Sequence, residues 1–220
     1  MSGARERILA SVRHSLQRDE PLAESIAAGL EARLTEPRPN ALPALAEEGL
    51  AACFTTKLTA AGGRVSRAAD VVQLAILISA HLSEFQCGRQ LLVAPDPWLN
   101  SVPWSNELSV ERRAATGDDR VSVAMAFAGI AETGTAVLLS SPDNPTTLNF
   151  LPEDHIVVLP ETRLVRYLED AWARLRAEFD EMPRTVNLIS GPSKTADVEQ
   201  TLQVGAHGPR RLHVVLVRDA

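Results

Sequence analysis

The chain is 220 residues long with a formal net charge of −6, and it is 45% hydrophobic and 23% charged, all globular values with enough apolar material for a core. The negative charge and an aromatic content of 4% argue against a phosphate-tracking basic surface and a base-stacking platform, so no nucleic-acid partner is expected.

In chain order, residues 3–17 read as an amphipathic helix, with Ile8, Leu9, Val12 and Leu16 on one face. Such a short helix is marginal alone and needs a surface to dock on. Residues 35–43 hold three prolines and read as a linker, which divides the chain into a helical N-terminal arm and linker (1–43) and an α/β domain (44–220). A second helix is expected over 44–61, closed by Gly62 and Gly63. A short strand at 64–66 and a buried helix over 68–85 follow, then an apolar strand at 91–94 ended by the Pro95-Asp96-Pro97-Trp98 turn. Strands at 121–128 and 135–140 flank a turn at 131–134. A strand at 155–159, a helix over 164–179 and strands at 186–189 and 212–217 complete the pattern. Alternating helices and apolar strands predict an α/β fold with a mixed, mostly parallel sheet covered by helices.

Two loops concentrate functional groups. One, at 129–135, carries Glu132, Thr133, Gly134 and Thr135. The other, at 190–195, carries Gly191, Ser193, Lys194 and Thr195 after an apolar strand. A strand that ends in a Gly/Ser/Thr turn before a helix start exposes N–H groups and hydroxyls suited to a carboxylate or phosphate. If both loops open on one crevice, Glu132 supplies a carboxylate for proton transfer or covalent chemistry opposite that turn. The plainer reading is that Ser193 or Thr195 caps a short helix, Asp197 and Glu199 are solvated first-turn acids, and Glu132 accepts backbone N–H bonds. His207, between two glycines, either reaches the site or bonds a carbonyl. His155, at a strand start, reads as structural, and His14, His81 and His213 as scattered. The pairs Arg112-Arg113 and Arg210-Arg211 read as solvated surface.

Cys53 and Cys87 lie far apart and no Cys-x-x-Cys occurs. A structural zinc or an iron–sulfur cluster needs about four ligands, so no metal is expected, and the thiols should stay free in a reducing cytoplasm. There is no dinucleotide fingerprint, no P-loop and no Gly-x-Ser-x-Gly elbow, so no cofactor is expected. The N-terminus lacks an apolar signal region. The longest apolar stretch, 71–82, is shorter than the ~20 residues a bilayer span needs. A soluble, cytoplasmic protein without a membrane span is expected.

The string GPSKTADVEQTL at 191–202, the GAHGP turn at 205–209 and the Ala-Glu-Thr-Gly-Thr turn at 131–135, with LPEDHIVV at 151–158 between them, resemble the lactate-utilization protein C family, the LUD domain. The resemblance covers roughly residues 60–218. One departure is the loop at 141–149, which lacks the basic residue that family members often carry before the Leu-Pro. The resemblance implies the fold shared by ribose-5-phosphate isomerase, glucosamine-6-phosphate deaminase and the coenzyme A transferases. It also implies a subunit or accessory protein of the bacterial system that oxidises L-lactate to pyruvate, partnered by iron–sulfur proteins and binding a small carboxylate or phosphate. The alternatives are an independent enzyme of the sugar-phosphate isomerase or coenzyme A transferase type, and a carboxylate-sensing binding module.

Overall fold

A computed structural model describes residues 3–18, 20, 22–35, 41–44, 49–195 and 203–218. Contacts divide the chain into two compact units, residues 1–43 and 44–220. The first contains helices α1 (Gly3–Ser15) and α2 (Glu24–Thr35), and neither buries a residue. The second helix is an addition to the expected pattern.

The second unit begins with α3 (Leu50–Ala60). Gly62, at φ +93°, lets the chain reverse there. The N–H of Gly62 bonds Thr59 O and that of Gly63 bonds Leu58 O, the paired bonds of a Schellman ending. Strand β1 (Arg64–Ala68) leads to α4 (Val71–Glu84), whose start is set by Asp70 Oδ1 accepting from the N–H groups of Val72 and Gln73. Strands β2 (Gln90–Val93), β3 (Ser109–Glu111) and β4 (Val121–Met125) follow.

The expected strand over 121–128 is two strands. Ala126 N still bonds Val158 O of the main sheet, while Phe127 N bonds Val137 O of a second sheet. The chain thus changes sheets between consecutive residues and continues as β5 (Ala128–Ile130) and β6 (Thr135–Leu139). β7 spans Asp154–Pro160. The helix expected over 164–179 is likewise shorter. Leu164–Val165 form β8, paired with β5, and α5 is Leu168–Glu178. Its start is marked by the Tyr167 N–H, which donates to Asp170 at 2.9 Å. β9 is Val186–Ile189, β10 Lys194–Thr195, β11 Gln203–Val204 and β12 Arg211–Val217. Lys194 and Thr195 therefore pair with β11 as a ribbon rather than opening a helix. Asp197 and Glu199 lie outside the described residues.

The main sheet has six strands in the order β1-β12-β7-β4-β2-β3, all parallel. The second sheet, β8-β5-β6-β9, is mixed. Alternation along β6 joins the layers. Ala136 and Leu138 face the main core, whereas Val137 and Leu139 belong with Ala128, Ile130 and Ala171 under α5. The central strands β7 and β12, buried except at Pro160 and Arg211, carry Val, Ile and Leu over most of their length, as a parallel sheet covered on both faces requires.

Candidate functional site

The two polar loops meet because β6 and β9 are antiparallel neighbours. A chain of hydroxyls links them: Thr133 Oγ1 lies 2.6 Å from Thr135 Oγ1, which lies 2.6 Å from Ser190 Oγ. Both loops also pack on the end of α3. Gly134 sits at φ +65°, and a Cβ there would collide with the backbone N of Leu58. A Cβ on Gly191 would lie 3.1 Å from Ala61 O.

Two of the charged side chains are engaged at helix ends. Lys194 Nζ donates to Ala61 O at 2.6 Å, at the C-cap of α3. Exposed carbonyls and the negative end of the helix dipole attract a cation there and disfavour an anion. Glu132 Oε1 accepts from the N–H of Leu168 at 3.0 Å, the first residue of α5. A carboxylate is stabilised at that positive end.

Gly191, Ser193 and His207 come together elsewhere, in the wall of a cavity of about 230 Å³. The bonds from Ser193 N to Pro209 O (2.8 Å) and from Gly205 N to Ser193 O (2.9 Å) clamp the glycine-rich turn against the end of β9. Ser190 adds a hydroxyl, and Phe150, Leu188, Ile189 and Leu212 make the apolar walls. The cavity lies past the carboxyl end of β9 but over the amino-terminal ends of β7 and β12, where His155 and Leu212 are paired in register.

The decisive residues line the base. Asn149 and His155 are each 1% exposed. Neither the amide nitrogen nor the amide oxygen of Asn149 has a hydrogen-bond partner, and neither ring nitrogen of His155 has one. Burial pushes the imidazole of His155 down to about 3, so at neutral pH it offers one N–H donor and one acceptor. Buried polar atoms in folded proteins are almost always paired, and each left unmade costs about 1–3 kcal/mol. Both residues line one small cavity, and a polar molecule that bonded these four atoms would remove that cost. Neither residue stood out in the sequence. The available signals were a histidine inside an apolar strand and an asparagine closing a proline-flanked loop.

Residues alternate faces along β7, and Asp154 begins a different network. Arg211 bonds its two oxygens at 2.5 and 2.7 Å, His81 Nε2 lies 3.1 Å away and Cys87 Sγ 3.7 Å. His213 bridges His81 at 3.2 Å and Ser66 at 2.9 Å. Burial alone would raise the Asp154 carboxyl, but the bonds from His81 and Arg211 outweigh it and hold it at about 2. Burial pushes the Cys87 thiol up to about 11, with Asp154 adding to the rise. Burial, then His81, pushes His213 down to about 3. Histidines that look scattered in the sequence are therefore stacked, with ring centroids 5.1 Å apart. Arg211 is not solvated surface but the counter-ion of a buried carboxylate, and Arg113 plays the same part for Asp119 at 2.7 Å. His81, Cys87 and Asp154 place ligand atoms within 4.8 Å of one another. The Arg211 guanidinium already bonds both oxygens of that carboxylate.

A family model described as the LUD domain matches residues 74–217, a stretch that contains every residue of the Asn149–His155 cavity. Lactate utilization protein C of Exiguobacterium sp. is 40% identical over 128 residues, 56% of this chain and 53% of that protein. Lactate utilization protein C of Geobacillus thermodenitrificans is 32% identical over 119 residues, 53% of this chain and 50% of that protein. An uncharacterised protein of Neisseria meningitidis serogroup B is 43% identical over 89 residues, 40% and 38% of the two chains. The chain thus spans about half the length, or less, of these relatives. The crystal structure of a DUF162 family protein from Deinococcus radiodurans superposes with a TM-score of 0.59 at 21% identity, covering 79% of this chain and 99% of that one, and shares the fold.

Proposed function

Since the chain belongs to the LUD-domain family, we propose that it serves lactate utilization by binding a small 2-hydroxy carboxylate in the cavity above Asn149 and His155. The observation that carries this reading is the set of four buried, unpartnered polar atoms. Donors and acceptors are mixed there, and so they are in the ligand. The Asn149 amide N–H, the His155 N–H and the hydroxyls of Ser190 and Ser193 suit a carboxylate. The remaining ring nitrogen and the amide oxygen accept from a 2-hydroxyl. The apolar walls suit a methyl group. A volume of about 230 Å³ falls below the ~300–1,000 Å³ of sites for drug-sized ligands and fits a molecule of a few carbons. Two relatives that carry the name lactate utilization protein C support the same class.

In this reading Gly191 and His207 shape the wall, and the Thr133–Thr135–Ser190 hydroxyl chain, with Gly134 packed beneath it, positions the Ser190 turn. Glu132 and Lys194 hold the ends of α5 and α3, and Thr195 anchors the ribbon that carries Ser193. Iron–sulfur proteins of the same system, implied by the resemblance, are the partners. Among the described residues no helix is long and apolar enough to cross a membrane.

Calorimetric titration with L-lactate tests the site. Saturable binding is expected for the wild type. A hydrogen bond to a charged group is worth about 1.5–3 kcal/mol, so Asn149→Leu and His155→Leu are each expected to weaken binding about tenfold or more. Asn149→Leu also removes two buried unpaired atoms, so its melting temperature should hold or rise while affinity falls. Absent binding by the folded wild type, or undiminished binding by both variants, would refute the assignment.

A further inference from the structure

The opposite end of β7 borders a second, larger concavity of about 490 Å³. Its place in the topology is telling. From β4 the main sheet grows through β7 to β12, whereas from β2 it grows outward to β3. The growth direction therefore reverses between β2 and β4, and in open parallel sheets ligands bind in the crevice past the carboxyl ends of strands at such a reversal. Asp96, just after β2, Met125 and Phe127, at and after the end of β4, and Pro160, at the end of β7, all line this concavity.

Its chemistry differs from that of the Asn149–His155 cavity. Phe127 and Phe179 meet edge to face with centroids 5.9 Å apart and, with Met125 and Leu139, form an apolar floor. The rim supplies the carboxylates of Asp96 and Asp143, and the buried side chain of Asn144 belongs to the lining. Asn144 is 7% exposed. Its amide nitrogen donates to Leu139 O at 3.1 Å and Met125 O at 3.4 Å, which fixes the orientation of the amide. Its Oδ1 is thereby left buried with no partner. The one cation in the lining, Arg163, makes two bonds to Glu178 at 2.6 and 2.8 Å and lies over the Phe127 ring, 5.6 Å from its centroid. An anion finds no free counter-charge in this lining, while a planar donor finds a floor and three acceptors.

We propose that this crevice is a second binding site, for a heteroaromatic amine of the nucleoside type. The ring lies on Phe127 and Phe179, where aromatic groups gain from offset or edge-on contact. The exocyclic amine donates to Asn144 Oδ1, and sugar hydroxyls donate to Asp96 and Asp143. The site is separate from the lactate cavity, because His155 and Pro160 lie at opposite ends of the same strand.

Ligand-observed NMR with adenosine as the probe and inosine as its comparison tests this on the full chain. Inosine carries a carbonyl where adenosine carries the amine, and that carbonyl would face acceptors. Adenosine is expected to bind saturably, and inosine about tenfold more weakly. Phe127→Leu should weaken adenosine binding severalfold. Asp143→Ala, on an exposed turn, should weaken it in a chain whose folding is not at risk. L-Lactate should leave adenosine bound. No saturable binding of adenosine, equal affinity for the two nucleosides, indifference to Asp143→Ala, or displacement by L-lactate would each overturn the proposal.

Discussion

His155 and His213 lie one strand apart and are both held neutral by burial, each at about 3. Their ordinary value is 6.5. The unfolded chain therefore binds more protons than the folded one between these two values, and stability rises with pH across that window. The protection is complete above about pH 6.5 and is lost as pH falls toward 3. Thermal melts between pH 7 and pH 4 should show a steadily falling midpoint, which replacement of His213 by Gln should flatten. A midpoint independent of pH in that range would contradict the neutral assignment. At this scale the sequence was a poor guide. A histidine at a strand start looks the same whether its ring is satisfied or orphaned, because the difference lies in which segments fold over it. Here those segments are Asn149 and Phe150, just before the strand, and the turn at 207–209, far away along the chain.

Elements were more legible than the roles of their ends. The Gly62-Gly63 pair marks the end of α3 because capping is local chemistry. The helix expected over 68–85 begins only at Val71, since Ala68 closes β1 and Asp70 caps the helix. The break at 126–127 was invisible, since an apolar run that changes sheets keeps the same composition on both sides. The start of α5 was misplaced because Leu164 falls on the same helical face as Leu168 yet pairs with β5 instead. Lys194 shows how a loop cation acquires a long-range partner. Its contact with Ala61 O ties the ribbon of β10 to the end of α3. Lys194→Met is expected to lower stability by about 0.3–1 kcal/mol, the scale of a cation at a helix C-terminus, and to leave L-lactate affinity unchanged. Denaturant melts and titrations on the same variant check both halves. Unchanged stability with lost binding would restore Lys194 to the ligand site.

At the scale of the whole molecule, the chain combines a core-bearing unit with an N-terminal unit whose two helices bury nothing. Ile8, Val12, Ile26 and Leu30 are all substantially exposed. The three prolines within 35–43 predict a break from composition alone, while α2 carries no comparable signal. We expect trypsin to cut first within residues 1–43, at sites such as Arg13 and Arg33, leaving a resistant fragment from about residue 44 onward. Equal cutting inside residues 120–217 would contradict the division. Within the larger unit the two concavities sit at opposite ends of β7. One is lined by neutral donors and acceptors suited to a hydroxy acid, and the other by acceptors over an aromatic floor.

In the proposed function, buried Asn149 and His155 pair with a 2-hydroxy carboxylate. Side-chain ¹⁵N NMR of the histidines reads this most directly, because each imidazole nitrogen reports its own proton and hydrogen bond. Without ligand, His155 should appear as a neutral ring at pH 7. Saturating L-lactate should shift both of its nitrogens, one as a donor to carboxylate and one as an acceptor from hydroxyl, with acetate shifting only the first. A His155 spectrum unchanged by L-lactate would contradict the account.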